Sequence, residues 1–258
     1  MTSPKVELMM GGHHAVSGAA AWLAITTPVT VGTVNLGLGT FQMDRWETLA
    51  GAIVCAGAAL LPDADHHGAT IARSLPPFSS IFARVIGEAS GGHRNGTHSI
   101  IGMAFFIFLA WLANGWDVAT AALGTIYPGA ALFAILLISF AVKSVKFMPP
   151  MLCWIIALAT GAFVGVNAPE ANQWFLLAVA VGVIVHVVGD MLTVGGCNLI
   201  WPIKIGSPRW FRKIPVIGGC WKSNGRLAVP VLAETGSTAE WLLATLLTTY
   251  VGIALIVA

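Results

Sequence analysis

The sequence predicts an all-α, polytopic integral membrane bundle of six or seven spans. Three observations carry this reading. Hydrophobic residues make up 57% of the 258 and charged residues only 9%, where a soluble domain averages roughly 45–50% and about 25%. Mean hydropathy is +0.82. Several uncharged apolar runs approach or exceed the ~20 residues that cross a bilayer as helix. At this length the chain is most simply a single domain, 1–258. A net charge of +2 says little about partners, and nucleic acid is not expected among them.

The first apolar run, about His14 to Leu38, is interrupted by Thr26-Thr27-Pro28. It is either a kinked helix or a helix with a short extension. It follows no basic head and no early small-residue cleavage site, so it is read as a retained span rather than a signal peptide. The second run, Trp46 to Leu61, ends at Pro62. A polar stretch from Asp63 to Gly96 follows, read as an interfacial segment. Within it Phe78, Ile81, Phe82, Val85 and Ile86 recur at helical spacing, with Arg84 and Glu88 on the other face, the pattern of a helix lying in the membrane interface. The third span starts at Thr97 and ends near Ala113. The fourth is Trp116 to Val142 with a kink at Pro128-Gly129, the fifth Phe147 to Val166, the sixth Trp174 to Val194 and the seventh Trp241 to Val257. Between the last two, Gly195 to Thr238 holds four prolines and six of the thirteen basic residues and is read as a second interfacial segment.

Lysine and arginine set the orientation. Lys5, then Arg73, Arg84 and Arg94, then Lys143 and Lys146, then the basic residues of 195–238 all share one side in a seven-span topology; only Arg45 falls opposite. That side is expected to be the cytoplasm. Cys55, Cys153, Cys197 and Cys220 have no metal or redox spacing and are read as unpaired structural thiols.

The scarce ionisable groups are concentrated in four clusters: His13-His14; Pro62-Asp63-Ala64-Asp65-His66-His67; His93-Arg94-Asn95-Gly96-Thr97-His98-Ser99; and His186 with Asp190. The topology, built without them, puts all four at the cytoplasmic face. Imidazole and carboxylate are ligands for zinc, manganese and iron, and ionisable groups inside a membrane are costly without a function. His186 and Asp190, four apart, share a helix face, as two ligands or as ligand and orienting partner; the bland alternative is a hydrogen bond locking two helices. Asp63 and Asp65, in a turn after Pro62, can converge on one cation or bridge two. Asn95 or Thr97 is expected to cap the third span, with Arg94 placed to clamp a phosphate or carboxylate. The roles of His13, His66 and His67 stay open.

The ordered set His14-x-x-x-Gly18, Leu61-Pro62-Asp63-x-Asp65-His66, His93-Arg94-x-x-Thr97-His98-Ser99 and His186-x-x-x-Asp190-x-x-Thr193 resembles the YdjM-type family of bacterial inner-membrane proteins, described as predicted metal-dependent hydrolases. Trp201-Pro202 and Thr235-Gly236-x-x-x-Glu240 fit as well. The resemblance implies a bacterial inner-membrane location, a divalent-metal site and a hydrolytic reaction. It also lends His14 weight as a ligand. The expected metal set is His14, Asp63, Asp65, His98, His186 and Asp190, with zinc first and manganese or iron next. His93 is ligand or acid–base group, Arg94 holds an anionic group, and Thr97 or Ser99 assists. The residue types are distantly similar to the zinc sites of phospholipase C and P1 nuclease. The expected substrate is therefore a phosphoester or ester of a lipid-like or membrane-proximal molecule, with membrane lipids as partners. Two other classes compete: a metal-ion or proton-coupled transporter, and a metal-free phosphohistidine lipid phosphatase, whose Pro-Ser-Gly-His element is absent.

Overall fold

In a computed structural model of the protein, residues 4–66, 68–69, 71, 78–145, 148–167, 174–215 and 217–257 are described, with residues 4–10, 31, 78, 79, 82 and 145 described in backbone only. His67, Arg73, Lys146 and residues 168–173 lie outside the described residues. Among the described residues eight α-helices run in order: α1 (Pro4–Thr26), α2 (Arg45–Ala58), α3 (Phe78–Ala89), α4 (Ile100–Asn114), α5 (Pro128–Val145), α6 (Pro150–Asn167), α7 (Trp174–Met191) and α8 (Thr238–Val257). Among the same residues two short antiparallel hairpins interrupt them, β1–β2 (Thr30–Val31, Val34–Asn35) and β3–β4 (Val118–Thr120, Gly124–Ile126). Four of the described stretches are long and apolar enough to cross a membrane: Arg45–Asp65, Pro150–Asn167, Trp174–Met191 and Thr238–Val257. Ile100–Asn114 and Pro128–Ser144 are apolar but shorter.

Two boundaries differ from the sequence reading, and both have local causes. The predicted span Trp116–Val142 is not one helix: its first part is the β3–β4 hairpin. Thr120 Oγ1 donates to Gly124 O (2.8 Å) and accepts from Leu123 N, and Gly124 takes φ +69°. That turn is closed before Pro128 opens α5, where its missing N–H costs nothing. The third span starts at Ile100, not Thr97, because residues Gly96–His98 form a 3-10 turn. The cap is therefore neither Asn95 nor Thr97 but Ser99, whose Oγ accepts from Gly102 N at 3.1 Å. Of the two forms open for the first run, the helix with an extension is the one adopted: α1 stops at Thr26 and the β1–β2 hairpin follows.

α2 is the central helix. It is opened by a reciprocal capping box, Asp44 Oδ1 accepting from Glu47 N and Glu47 Oε2 from Asp44 N, which satisfies donors that a helix start leaves unpaired. Of the best window in Arg45–Asp65, 78% is buried, against 17% for Thr238–Val257, so the first is enclosed by other helices and the second lies outermost. α1, α5 and α7 pack on α2, and α8 packs on α1. Two glycines let the backbones meet. A Cβ at Gly18 would stand 2.7 Å from Cys55 O, and one at Gly182 2.5 Å from the same oxygen. Both are too close for a real side chain, so α1 and α7 grip one turn of α2 as small-residue contacts do in membranes. His14 and His186 are each four residues from their glycine and share its face.

The outward faces carry large apolar side chains: Ile101, Phe105, Phe108 and Trp111 on α4, Met151, Ile155 and Leu158 on α6, Leu242 and Leu246 on α8, each at least 47% exposed. Apolar patches of that extent do not persist in water, and a bilayer covers them.

Candidate metal centre

Four elements deliver the polar residues. Pro62 cannot continue an α-helix, and the chain after α2 tightens into the 3-10 turn Leu61–Asp65. At 3.0 residues per turn its two aspartates diverge. Asp63 faces His98 and His186, while Asp65 faces His93 and Thr97. The 3-10 turn before α4 turns His98 inward, fully buried. α7 supplies His186 and Asp190, α1 supplies His14.

Four atoms converge: Asp63 Oδ1, His98 Nε2, His186 Nε2 and Asp190 Oδ2. Five of their separations are 3.1 Å (His98–His186), 3.3 Å (His98–Asp190), 3.6 Å (His186–Asp63), 3.7 Å (His98–Asp63) and 3.8 Å (His186–Asp190). Ligands ~2.0–2.1 Å from a tetrahedral zinc stand about 3.3–3.4 Å apart. His14 closes one side, its ring stacked on His186 with centroids 3.9 Å apart and its Nε2 3.6 Å from Asp190 Oδ1.

Proton positions, assigned from the partners, show what this space requires. His186 Nδ1 lies 2.6 Å from Ala59 O. A carbonyl only accepts, so the proton is on Nδ1 and Nε2 carries a lone pair. Thr97 Oγ1 donates to Asp65 Oδ2 (2.6 Å), and His98 Nδ1 is 3.0 Å from the same Oγ1. The hydroxyl has spent its proton, so His98 Nδ1 donates to it; in the neutral ring that a metal ligand requires, His98 Nε2 carries a lone pair. Two lone pairs thus face each other beside two carboxylates. A shared proton would satisfy one pair only. Asp190 Oδ2, buried, has no hydrogen-bond partner among the described residues, which a native interior seldom tolerates. A cation held by Asp63, His98 and His186, or by His14, His186 and Asp190, satisfies these groups together.

The two orienting contacts, Ala59 O on His186 and Thr97 with Asp65 on His98, are the kind that fix ring tautomers at metal sites. Asp65, His93 and His98 Nδ1 form a further group that can hold an ion. It shares His98 with the first group, and a neutral imidazole offers one lone pair, which here is Nε2. His93 Nδ1 instead pairs with Asp65 Oδ1 at 3.0 Å. Its ring lines an open cavity of about 640 Å³ together with Asp65, His66, Ser80, Arg84 and Glu88.

Other residues occupy different places from those expected of them. Arg94 is 7% exposed and donates to Asp190 Oδ1 (2.8 Å), Thr193 Oγ1 (3.0 Å) and Thr235 Oγ1 (3.3 Å), so its fork is filled by the protein. Ser99 caps α4 and donates to Gly96 O, apart from the four converging atoms. His13 Nδ1 pairs with Glu240 Oε1 at 2.6 Å, and Glu240 Oε2 accepts from Gly236 N. A small cavity of about 40 Å³ separates this pair from His14 and Asp190. The involvement of Thr193, Thr235 and Glu240 was signalled in the sequence only by their place at the ends of short motifs. Arg226, which donates to His93 O (2.8 Å), had no signal at all. Burial pushes the Cys197 thiol up to about 12, which keeps it protonated.

Fold and centre together define an α-helical membrane protein with buried His/Asp groups able to hold a metal ion. The chain belongs to the YdjM inner membrane protein family, whose model matches residues 9–258. No curated protein and no solved structure matches it.

Proposed function

We propose that the protein is a metal-dependent hydrolase of the bacterial inner membrane, crossing it six or seven times with its centre at the cytoplasmic face. The observation that carries the reading is the convergence of two imidazole lone pairs and two carboxylates on one buried point, with Asp190 Oδ2 otherwise unpartnered. Asp63, His98, His186 and Asp190 would hold the ion, with His14 beside them and Asp65 acting through His98 and His93. Imidazole and carboxylate donors suit zinc first and manganese or iron next. A bound divalent ion supplies an activated water and polarises the scissile group.

The chain's own groups supply the rest. His93 gives its Nδ1 proton to Asp65, leaving Nε2 as the proton acceptor of a residue that lines the 640 Å³ cavity. This is the arrangement of a general base. Thr97 holds the His98 ring in its tautomer, and Ser99 caps α4. A lipid-like phosphoester or ester as substrate is supported by two features of the chain. Ile81 and Val85 of α3, the helix that also lines the cavity, are about half exposed, and Trp201, Trp210, Phe211 and Trp221 interleave with Lys204, Arg209, Arg212, Lys213 and Lys222 in 195–238. Indoles prefer headgroup depth, and each cation gains about 1 kcal/mol against an anionic leaflet.

The test is elemental analysis of purified, unchelated protein beside Asp63→Ala and Asp190→Ala, with hydrolysis assayed on soluble phosphomonoester, phosphodiester and carboxylester substrates. Stoichiometric metal in the parent and its loss in both variants, with helicity retained, is expected. Active protein without metal overturns the proposal.

A further inference from the structure

Asp190 has two oxygens with different company. Oδ2 faces His98 and His186 and accepts no hydrogen bond. Oδ1 accepts from Arg94 Nη2 at 2.8 Å. The arginine is held as a fixed object. Its backbone sits in the left-handed region at φ 63°, uncommon for a residue with a side chain, and its carbonyl accepts from Asn198 N at 3.1 Å. Its other nitrogen is spent on Thr193 Oγ1, itself anchored to Asp190 O at 2.8 Å. Gly195 leaves the space: a Cβ there would overlap Arg94 Nη1. A charge buried this deeply is expensive unless paired, and its two shorter hydrogen bonds go to Asp190 and Thr193, with Thr235 Oγ1 accepting a third at 3.3 Å.

We infer that Arg94 is a positioning residue that engages Oδ1 of Asp190 and so restricts this carboxylate to one metal-facing oxygen, Oδ2. A free carboxylate can bind an ion through both oxygens; the guanidinium engages one, which keeps the coordination number low. Arg94 acts through Asp190 and does not touch substrate. The inference rests on the metal-centre reading above.

The test is titration of purified apoprotein in detergent with Co²⁺, read by affinity and by visible absorption, because four-coordinate Co²⁺ absorbs far more strongly than higher-coordinate Co²⁺. Three variants are compared: Gly195→Ala, which displaces the guanidinium without altering any ligand; Arg94→Met; and Arg94→Lys, which keeps the charge but cannot hold Thr193 and Asp190 together. Loss of an orienting partner typically weakens metal binding 10–100-fold. That loss is expected in Gly195→Ala and Arg94→Met, with a weaker absorption per bound ion and with Arg94→Lys between them and the parent. If the parent gives no Co²⁺ spectrum, the metal reading falls and this inference with it. If the parent binds and the variants match it in affinity and spectrum, Arg94 is structural only and the metal reading stands. Should Gly195→Ala fail to fold, Arg94→Lys decides between the same outcomes.

Discussion

The glycine at 182 offers the sharpest test of how the bundle makes the centre. In Gly182→Ala the new Cβ would stand 2.5 Å from Cys55 O and 2.8 Å from Ala58 Cβ. Carbon–oxygen contacts stop at about 3.3 Å, so α7 must retreat from α2 by about 0.8 Å at that turn. His186 is one turn further along the same face and hydrogen-bonds Ala59 O at 2.6 Å, so its ring moves with the retreat and its tautomer-fixing bond stretches. Metal–ligand distances tolerate only about ±0.2 Å. Zinc affinity is therefore expected to fall about 100-fold, near the upper end for a lost orienting partner, while overpacking costs about 1–3 kcal/mol of stability. Gly252→Ala is the control: its Cβ meets nothing within 4 Å, and alanine in a helix interior gains about 0.5–1 kcal/mol over glycine. Competition against a chromophoric chelator reads affinity, and thermal unfolding in detergent reads stability. Parent-like zinc affinity in a destabilised Gly182→Ala, or an equal loss in Gly252→Ala, would refute the reasoning.

Two further outcomes are expected. Cys197, buried and with its thiol pushed up to about 12, should resist iodoacetamide in the folded protein from pH 7 to 9 and react only in denaturant, whereas the partly exposed Cys220 labels readily; mass spectrometry of digests decides, and early labelling of Cys197 contradicts the packing. In a Cys220→Ser background, Asn224→Cys should label with an impermeant maleimide only when the cytoplasmic side is opened, and Asp117→Cys from outside on intact cells; labelling of both from one side would overturn the proposed orientation.

Composition and run length were enough for the membrane class, because burying a helix in lipid demands ~20 apolar residues whatever its neighbours, and the ordered His/Asp motifs were enough for the family. The amphipathic α3 was legible for the same reason: a 3.6-residue period is a property of the segment alone. The four polar clusters stood out because ionisable groups are so rare in this chain. Pro28 and Pro62 marked helix ends correctly, but the hairpin at 118–126 was hidden in an apolar run, since Val118, Ala119, Thr125 and Ile126 suit strand and span alike. The sequence could place Arg94 near the clusters but could not tell which way its fork points; that depended on Thr193, Asp190, Thr235 and the gap at Gly195, residues up to 141 positions away. The divergence of Asp63 from Asp65 and the pairing of His13 with Glu240 were equally out of reach. Hydropathy is summed along a chain and can be read from it. Ligation depends on atoms a few tenths of an ångström from their proper places, and those places exist only once α1, α2 and α7 have closed on Gly18 and Gly182.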